Sequence, residues 1–160
     1  MAIELVRIDD RLIHGQVVTT WVKQKKIEQI LIINDEIAND QVQKSVFNMM
    51  APPDVLVKTF TVDRFVEVYQ KANIKRTTLI LLTNSIDALR LVNGGVKFDT
   101  LNLGGMKNKA GRTQYTKAVS LSLEEFQALK DIREQGVNVE FQMIPSDKLL
   151  TLDDIERGSK

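Results

Sequence analysis

The chain has 160 residues, 43% apolar and 27% charged, which suits one globular domain with a sizeable core and excludes intrinsic disorder. Twenty-two basic residues against 21 acidic ones leave a formal charge of +1, so there is no broad basic field for nucleic acid. The absence of cysteine excludes disulfides, thiol catalysis and thiolate-bound zinc, and the single histidine, His14, excludes any centre built from several imidazoles.

The start, Met1-Ala2-Ile3-Glu4, lacks the basic and apolar segments of a signal peptide. No apolar run approaches the ~20 residues needed to span a bilayer, so a soluble cytoplasmic protein is expected. Ile3 to Ile8 reads as a first strand, and Gly15 to Lys26 as a helix with Val17, Val18, Trp21 and Val22 on one face. A second strand is expected at Gln29 to Asn34, then a helix from Asn39 to Met50 stopped by Pro52-Pro53. Val55 to Phe60 follows as a strand, and Thr61 caps a helix that carries Phe65, Val66 and Tyr69. Thr78 to Thr83 is apolar on both faces, as a covered parallel strand requires, and Ser85 opens a helix ending at Asn93-Gly94-Gly95. Thr100 to Leu103 and Val137 to Phe141 continue the strands, with a shorter run, Ala118 to Leu121, between them. Ser122-Leu123-Glu124-Glu125 is a capping box for the helix closed by Gly136. Residues 146–160 are expected to form a loop, a short helix near Leu152 to Arg157 and a tail. Strands alternating with helices predict an α/β fold, a doubly wound, mainly parallel central sheet of about seven strands with helices on both faces.

In such sheets ligands sit beyond the carboxyl ends of the strands. The first of these junctions, Arg7-Ile8-Asp9-Asp10-Arg11-Leu12-Ile13-His14-Gly15-Gln16-Val17, gathers two arginines, two aspartates and the only histidine. Gly15 lets an anion approach the backbone closely, and the helix beginning at Gly15 and Gln16 offers free N–H groups at its positive end. An imidazole there can take up a phosphoryl group, Arg11 can hold its oxygens, and one aspartate can fix the ring tautomer. The same residues also allow a plain surface turn, with Asp-Asp-Arg as cap and salt bridge and His14 solvated.

Those eleven residues closely resemble the signature of the IIB components of the mannose/fructose/sorbose class of the phosphoenolpyruvate-dependent sugar phosphotransferase system. The resemblance continues through Trp21, Asn34 to Asp40, Met50-Ala51-Pro52, Asn102-Leu103-Gly104-Gly105-Met106 with Gly111-Arg112, and Val139 to Gln142 with Ile144-Pro145. It implies one IIB domain over residues 1–160. His14 would accept a phosphoryl group at Nδ1 from a phosphorylated IIA component, a separate chain or domain. The group would then pass to a hexose-type sugar brought in by the membrane components IIC and IID. Arg11 would stabilise the transferring group, Asp10 and Arg7 would orient ring and phosphate, and Arg7, Gly15 and Gln16 would hold the phosphate. No cofactor, metal or nucleic-acid partner is implied, and the protein would lie on the cytoplasmic side, peripheral to the membrane through IIC and IID. The rival is a flavodoxin-like regulatory or anion-binding module that holds phosphate without covalent chemistry.

Three further features are legible. Gly104 to Thr113 is glycine-rich and basic but departs from a P-loop in spacing and in having Arg112 where lysine belongs, so nucleotide binding is rejected. The loop is then either a solvated turn or a cationic aid to phosphate or partner. Trp21, Met49 and Met50 read as core, and Asp35-Glu36 as the acidic start of a helix in preference to a cation site.

Overall fold

The computed structural model describes residues 2–158, apart from the side chains of Gln16 and Val17. Its elements in chain order begin with β1 (Ile3–Asp9), α1 (Gly15–Lys25), β2 (Gln29–Ile33), α2 (Asp35–Ala38), α3 (Gln41–Met49), β3 (Leu56–Phe60), α4 (Val62–Lys71) and β4 (Thr78–Leu82). Then come α5 (Ser85–Asn93), β5 (Thr100–Gly105), β6 (Thr113–Gln114), β7 (Ser120–Leu121), α6 (Leu123–Glu134), β8 (Asn138–Phe141), β9 (Leu150–Thr151) and α7 (Leu152–Gly158).

Seven strands form one sheet in the order β3-β2-β4-β1-β5-β8-β9. All neighbours are parallel except β9, which runs antiparallel to β8. Alternate residues of each strand feed two apolar layers, because successive side chains leave a strand on opposite faces. Val6, Ile8, Ile80 and Leu82 meet α4, α5, α6 and α7 through Phe65, Leu91, Leu129 and Ile155. Leu5, Ile30, Ile32, Leu79 and Leu81 meet α1 and α2 through Val18, Trp21, Val22 and Ile37. Helices therefore cover both faces, and β1 stands near the centre of the sheet.

The local signals act where expected. Thr61 caps α4, and Ser122 and Glu125 form the reciprocal capping box of α6. Asn84, one residue before Ser85, is the side chain that caps α5. The structure differs in three places. Residues 118–121 add no strand to the main sheet: β7 pairs with β6 in a separate antiparallel ribbon, and Val119 forms only a parallel bridge to Met106, just past the end of β5. The seventh place is filled by β9, from a segment expected to be a loop. Trp21 is buried as expected, but Met49 is 85% exposed and Met50 lies partly open. Helix α3 touches the core chiefly through Phe47, and its start at Asp40 (which caps it) turns Val42, Val46 and Met49 outward.

Candidate active site

The carboxyl end of β1 delivers Asp9 beside Gly105 of β5, with the Asp10 N–H donating to the Gly105 carbonyl at 3.0 Å. The chain then turns sharply. Leu12 adopts a left-handed backbone, φ 58°, a conformation that costs a non-glycine residue about 1–3 kcal/mol. Burial of Leu12 and of its neighbour Ile13 among the α1-side core residues offsets that cost and anchors the loop. Gly15 follows at φ 46°, where a side chain would add strain, and α1 begins. His14, the N-cap of α1, makes no side-chain hydrogen bond to the helix and the first turn holds no acidic residue, which suits the helix start to an anion.

Asp9 is the hub. Its side chain is fully enclosed, yet it meets three partners. Oδ1 accepts from the Arg11 N–H at 3.1 Å and Oδ2 lies 2.8 Å from His14 Nε2. The Arg7 and Arg11 guanidinium groups each approach Asp9 to 3.5 Å. A carboxylate only accepts, so in the neutral imidazole Nε2 carries the ring hydrogen and Nδ1 keeps its lone pair. The His14 side chain is 19% exposed and that of Arg11 55%. A half-buried imidazole with an oriented free nitrogen, an accessible guanidinium and a helix start together suit nucleophilic attack on an anionic phosphorus.

The other expected residues occupy different stations. Arg7 is expected among the phosphate-holding groups, but its side chain is fully enclosed. Nη1 donates to the Gln142 carbonyl at 3.0 Å and to Asn102 Oδ1, and Nη2 to the Met143 carbonyl at 2.8 Å. Trp21 stacks on its guanidinium at 5.1 Å and donates its own indole N–H to the same Met143 carbonyl at 2.9 Å. Burial pulls the Arg7 pKa down to about 10, against the opposing pull of Asp9. Arg7 thus backs Asp9 from inside. Asp10 is expected to orient the ring but turns to the neighbouring loop, where Oδ2 accepts from the Lys107 N–H at 2.8 Å. Gln16 lies in α1, and its side chain is outside the described residues.

Sequence reasoning leaves Asn102, Gly104 and Gly105 without roles. A Cβ at Gly104 would overlap the Arg7 guanidinium, and one at Gly105 would press on Asp9 Oδ1 at 3.3 Å. The adjacent glycines are the imprint of those two side chains on β5. Among the described residues no group of three or more histidine, cysteine or acidic side chains converges as a metal site. Asp35 instead accepts from the Val62 N–H at 2.9 Å and from Arg90 at 3.0 Å, bonds that hold its pKa below the usual carboxylate range. No helix among the described residues is long and apolar enough to cross a membrane.

The glycine-rich loop is pinned. Arg112, with only 6% of its side chain exposed, forms a two-pronged pair with Glu125 at 2.9 and 2.8 Å and donates to the Lys107 carbonyl at 2.8 Å. Burial works to raise the Glu125 pKa, but the Arg112 and Ser122 hydrogen bonds outweigh it and leave the group below its ordinary value. A carboxyl depressed in this way stabilises the fold above its unfolded pKa, and the contribution fades as pH falls through the folded one. In urea titrations, wild type is therefore expected to be the more stable protein near neutrality. Its advantage over Glu125→Gln is expected to shrink as pH falls below about 4.3. A gap that stays constant with pH would contradict the pairing.

Comparison with known proteins follows the same lines. The family model for the PTS system sorbose subfamily IIB component matches residues 3–159. The sorbose-specific EIIB component of Klebsiella pneumoniae is 40% identical over 148 residues, covering 92% of this chain and 90% of that protein. The mannose-specific EIIAB component of Escherichia coli K12 is 38% identical over 97% of this chain, which spans only 48% of that longer relative. In three dimensions, the crystal structure of the IIB domain of the Klebsiella pneumoniae sorbose permease superposes with a TM-score of 0.92 at 40% identity, covering 98% of each chain.

Proposed function

This chain belongs to the sorbose subfamily of IIB components of the phosphotransferase system, and on that premise we propose that His14 is its phosphoryl carrier. The observation that carries the proposal is the 2.8 Å contact between His14 Nε2 and the enclosed Asp9 carboxylate, which leaves Nδ1 as the nucleophile. The donor is a phosphohistidine of a IIA component. The Nδ1 lone pair forms the new N–P bond as the donor's N–P bond breaks, and the donor ring, protonated at its other nitrogen, departs as neutral imidazole. The His14 ring gains positive charge in the step, and Asp9 sits where it offsets that charge across the Nε2–H bond. Arg11 neutralises the equatorial oxygens of the loose transition state, with Gly15 and Gln16 at the helix start receiving the rest of the anion. Asp10 fixes the loop and Arg7 fixes Asp9.

In the second half-reaction a sugar hydroxyl attacks the same phosphorus, the His14 N–P bond breaks, the ring leaves as neutral imidazole with its hydrogen still on Nε2, and the hydroxyl proton passes to solvent. The sugar is of hexose type, delivered by membrane components IIC and IID, and residues 1–160 act as one IIB domain at the cytoplasmic face. A phosphoramidate lies energetically above a sugar phosphate ester, so onward transfer runs downhill.

The test is phosphorylation by phosphoenolpyruvate, enzyme I, HPr and a mannose-class IIA, read by intact mass. Wild type is expected to gain a single acid-labile phosphoryl group and His14→Gln none. If wild type stays unmodified beside a IIA that is itself phosphorylated, the carrier role fails and a phosphate-binding module without covalent chemistry replaces it.

A further inference from the structure

We propose that the segment from Lys107 to Arg112 is a pre-set cationic arm that docks the phosphorylated face of the donor protein and releases it once the phosphoryl group has moved. The inference rests on the reading of His14 as phosphoryl acceptor and extends it to partner recognition.

Three observations converge on the arm. First, it is joined to the His14 loop, because the Lys107 N–H donates to Asp10, four residues from His14. Second, it is held rigidly for an exposed segment. Arg112 clamps the Lys107 carbonyl and Glu125 together, the Arg112 N–H donates to the Lys109 carbonyl at 3.0 Å, and Gly111 closes the turn at φ 87°. Third, the cations divide by task. Arg112 is enclosed and spent on Glu125, whereas Lys107 and Lys109 are exposed and have no ion-pair partner among the described residues. Beside Arg11, which pairs with Asp9 from an exposed position, these two lysines put unpaired positive charge on the rim of the site in a chain whose net charge is only +1.

The ligand chemistry follows from the reaction. A donor carrying a phosphohistidine presents about two negative charges at its transferring atom, and an acidic surround on the donor would add to them. A rigid positive rim raises the encounter rate with such a face and costs little ordering on contact. Transfer then carries that charge across the interface to His14. The rim is neutralised from its own side while the donor loses its anion, so the spent donor is held less tightly than the charged one.

The experiment is rapid-quench transfer from a phosphorylated mannose-class IIA to wild type and to a Lys107→Glu/Lys109→Glu variant. A Lys23→Glu/Lys25→Glu variant, altered at the other end of α1, serves as control. Expected results are a KM about tenfold higher for the arm variant with kcat within about twofold, and a shallower loss of kcat/KM with added salt. Inhibition by unphosphorylated IIA is expected to differ between wild type and arm variant by less than that. The control variant is expected to match wild type. If wild type accepts phosphate and the arm variant keeps its KM, the docking role is overturned. Loss of binding to phosphatidylserine vesicles with KM unchanged would overturn it too, in favour of a membrane contact. If wild type accepts no phosphate, the carrier reading fails first and takes this inference with it.

Discussion

Asparagine at position 9 is expected to slow phosphoryl uptake by about 10²–10⁴-fold while leaving the protein folded. The shape of the side chain is kept, so the Arg11 N–H still meets an oxygen, while the bond from Arg7 Nη2 to the position facing the ring is lost. What changes is the sense of the bond to the ring. A carboxylate can only accept from Nε2, but an amide can donate to it, and a ring that accepts at Nε2 carries its hydrogen on Nδ1. The nucleophilic lone pair is then occupied by a proton. The variant also lacks the negative charge that sits 2.8 Å from the ring when the ring turns positive. Rapid-quench transfer gives the rate, and ¹⁵N NMR of the His14 ring gives the tautomer. Both are expected to move together, and an unchanged rate with a switched tautomer would remove Asp9 from the chemistry.

Arg7→Met is expected to destabilise the fold by about 3–5 kcal/mol, the usual consequence of taking one partner from a buried ionic network. Methionine fills much of the same volume, so the loss is not one of packing. It leaves the Gln142 and Met143 carbonyls and Asn102 without their shared donor, and Asp9 without its interior counter-charge. Gly104→Ala attacks the same network from the opposite side, by placing a methyl group where the guanidinium lies, and is expected to cost about 1–3 kcal/mol. Chemical denaturation at constant m-value measures both. If either variant is as stable as wild type, the enclosed arginine has another resting place.

The strands and most helices were legible because each carries its own local signal. The apolar runs of β2 and β4, the Ser122 capping box and the Thr61 cap need only a few neighbouring residues to be recognised. The short β9 carries no such signal: two residues pair with β8 only because the chain returns there, and pairing at a distance leaves no periodicity. The same limit governs the site. The loop from Arg7 to Gly15 announces an anion site by its composition. Which carboxylate meets the imidazole depends on the irregular pairing between Ile8 and Asp9 against β5, which turns Asp9 toward the ring and Asp10 toward Lys107. Likewise Arg7 lies on the strand that delivers the loop, so sequence neighbourhood places it beside the phosphate. Strand alternation sends it instead under Trp21.

The enclosure of Arg7 also sets an order of events for a newly made chain. Its carbonyl partners lie 135 and 136 residues downstream, and the indole of Trp21 reaches 122 residues to the same strand exit. Contacts so distant in sequence form late, after the loop they close has lost its freedom. A chain released from the ribosome only as far as β5 would own every residue of the His14 loop and still lack the lid that seats Asp9. With His14 as the proposed phosphoryl acceptor, competence to receive phosphate would be tied to synthesis past Met143, and a half-made copy would not draw phosphoryl groups away from the folded protein.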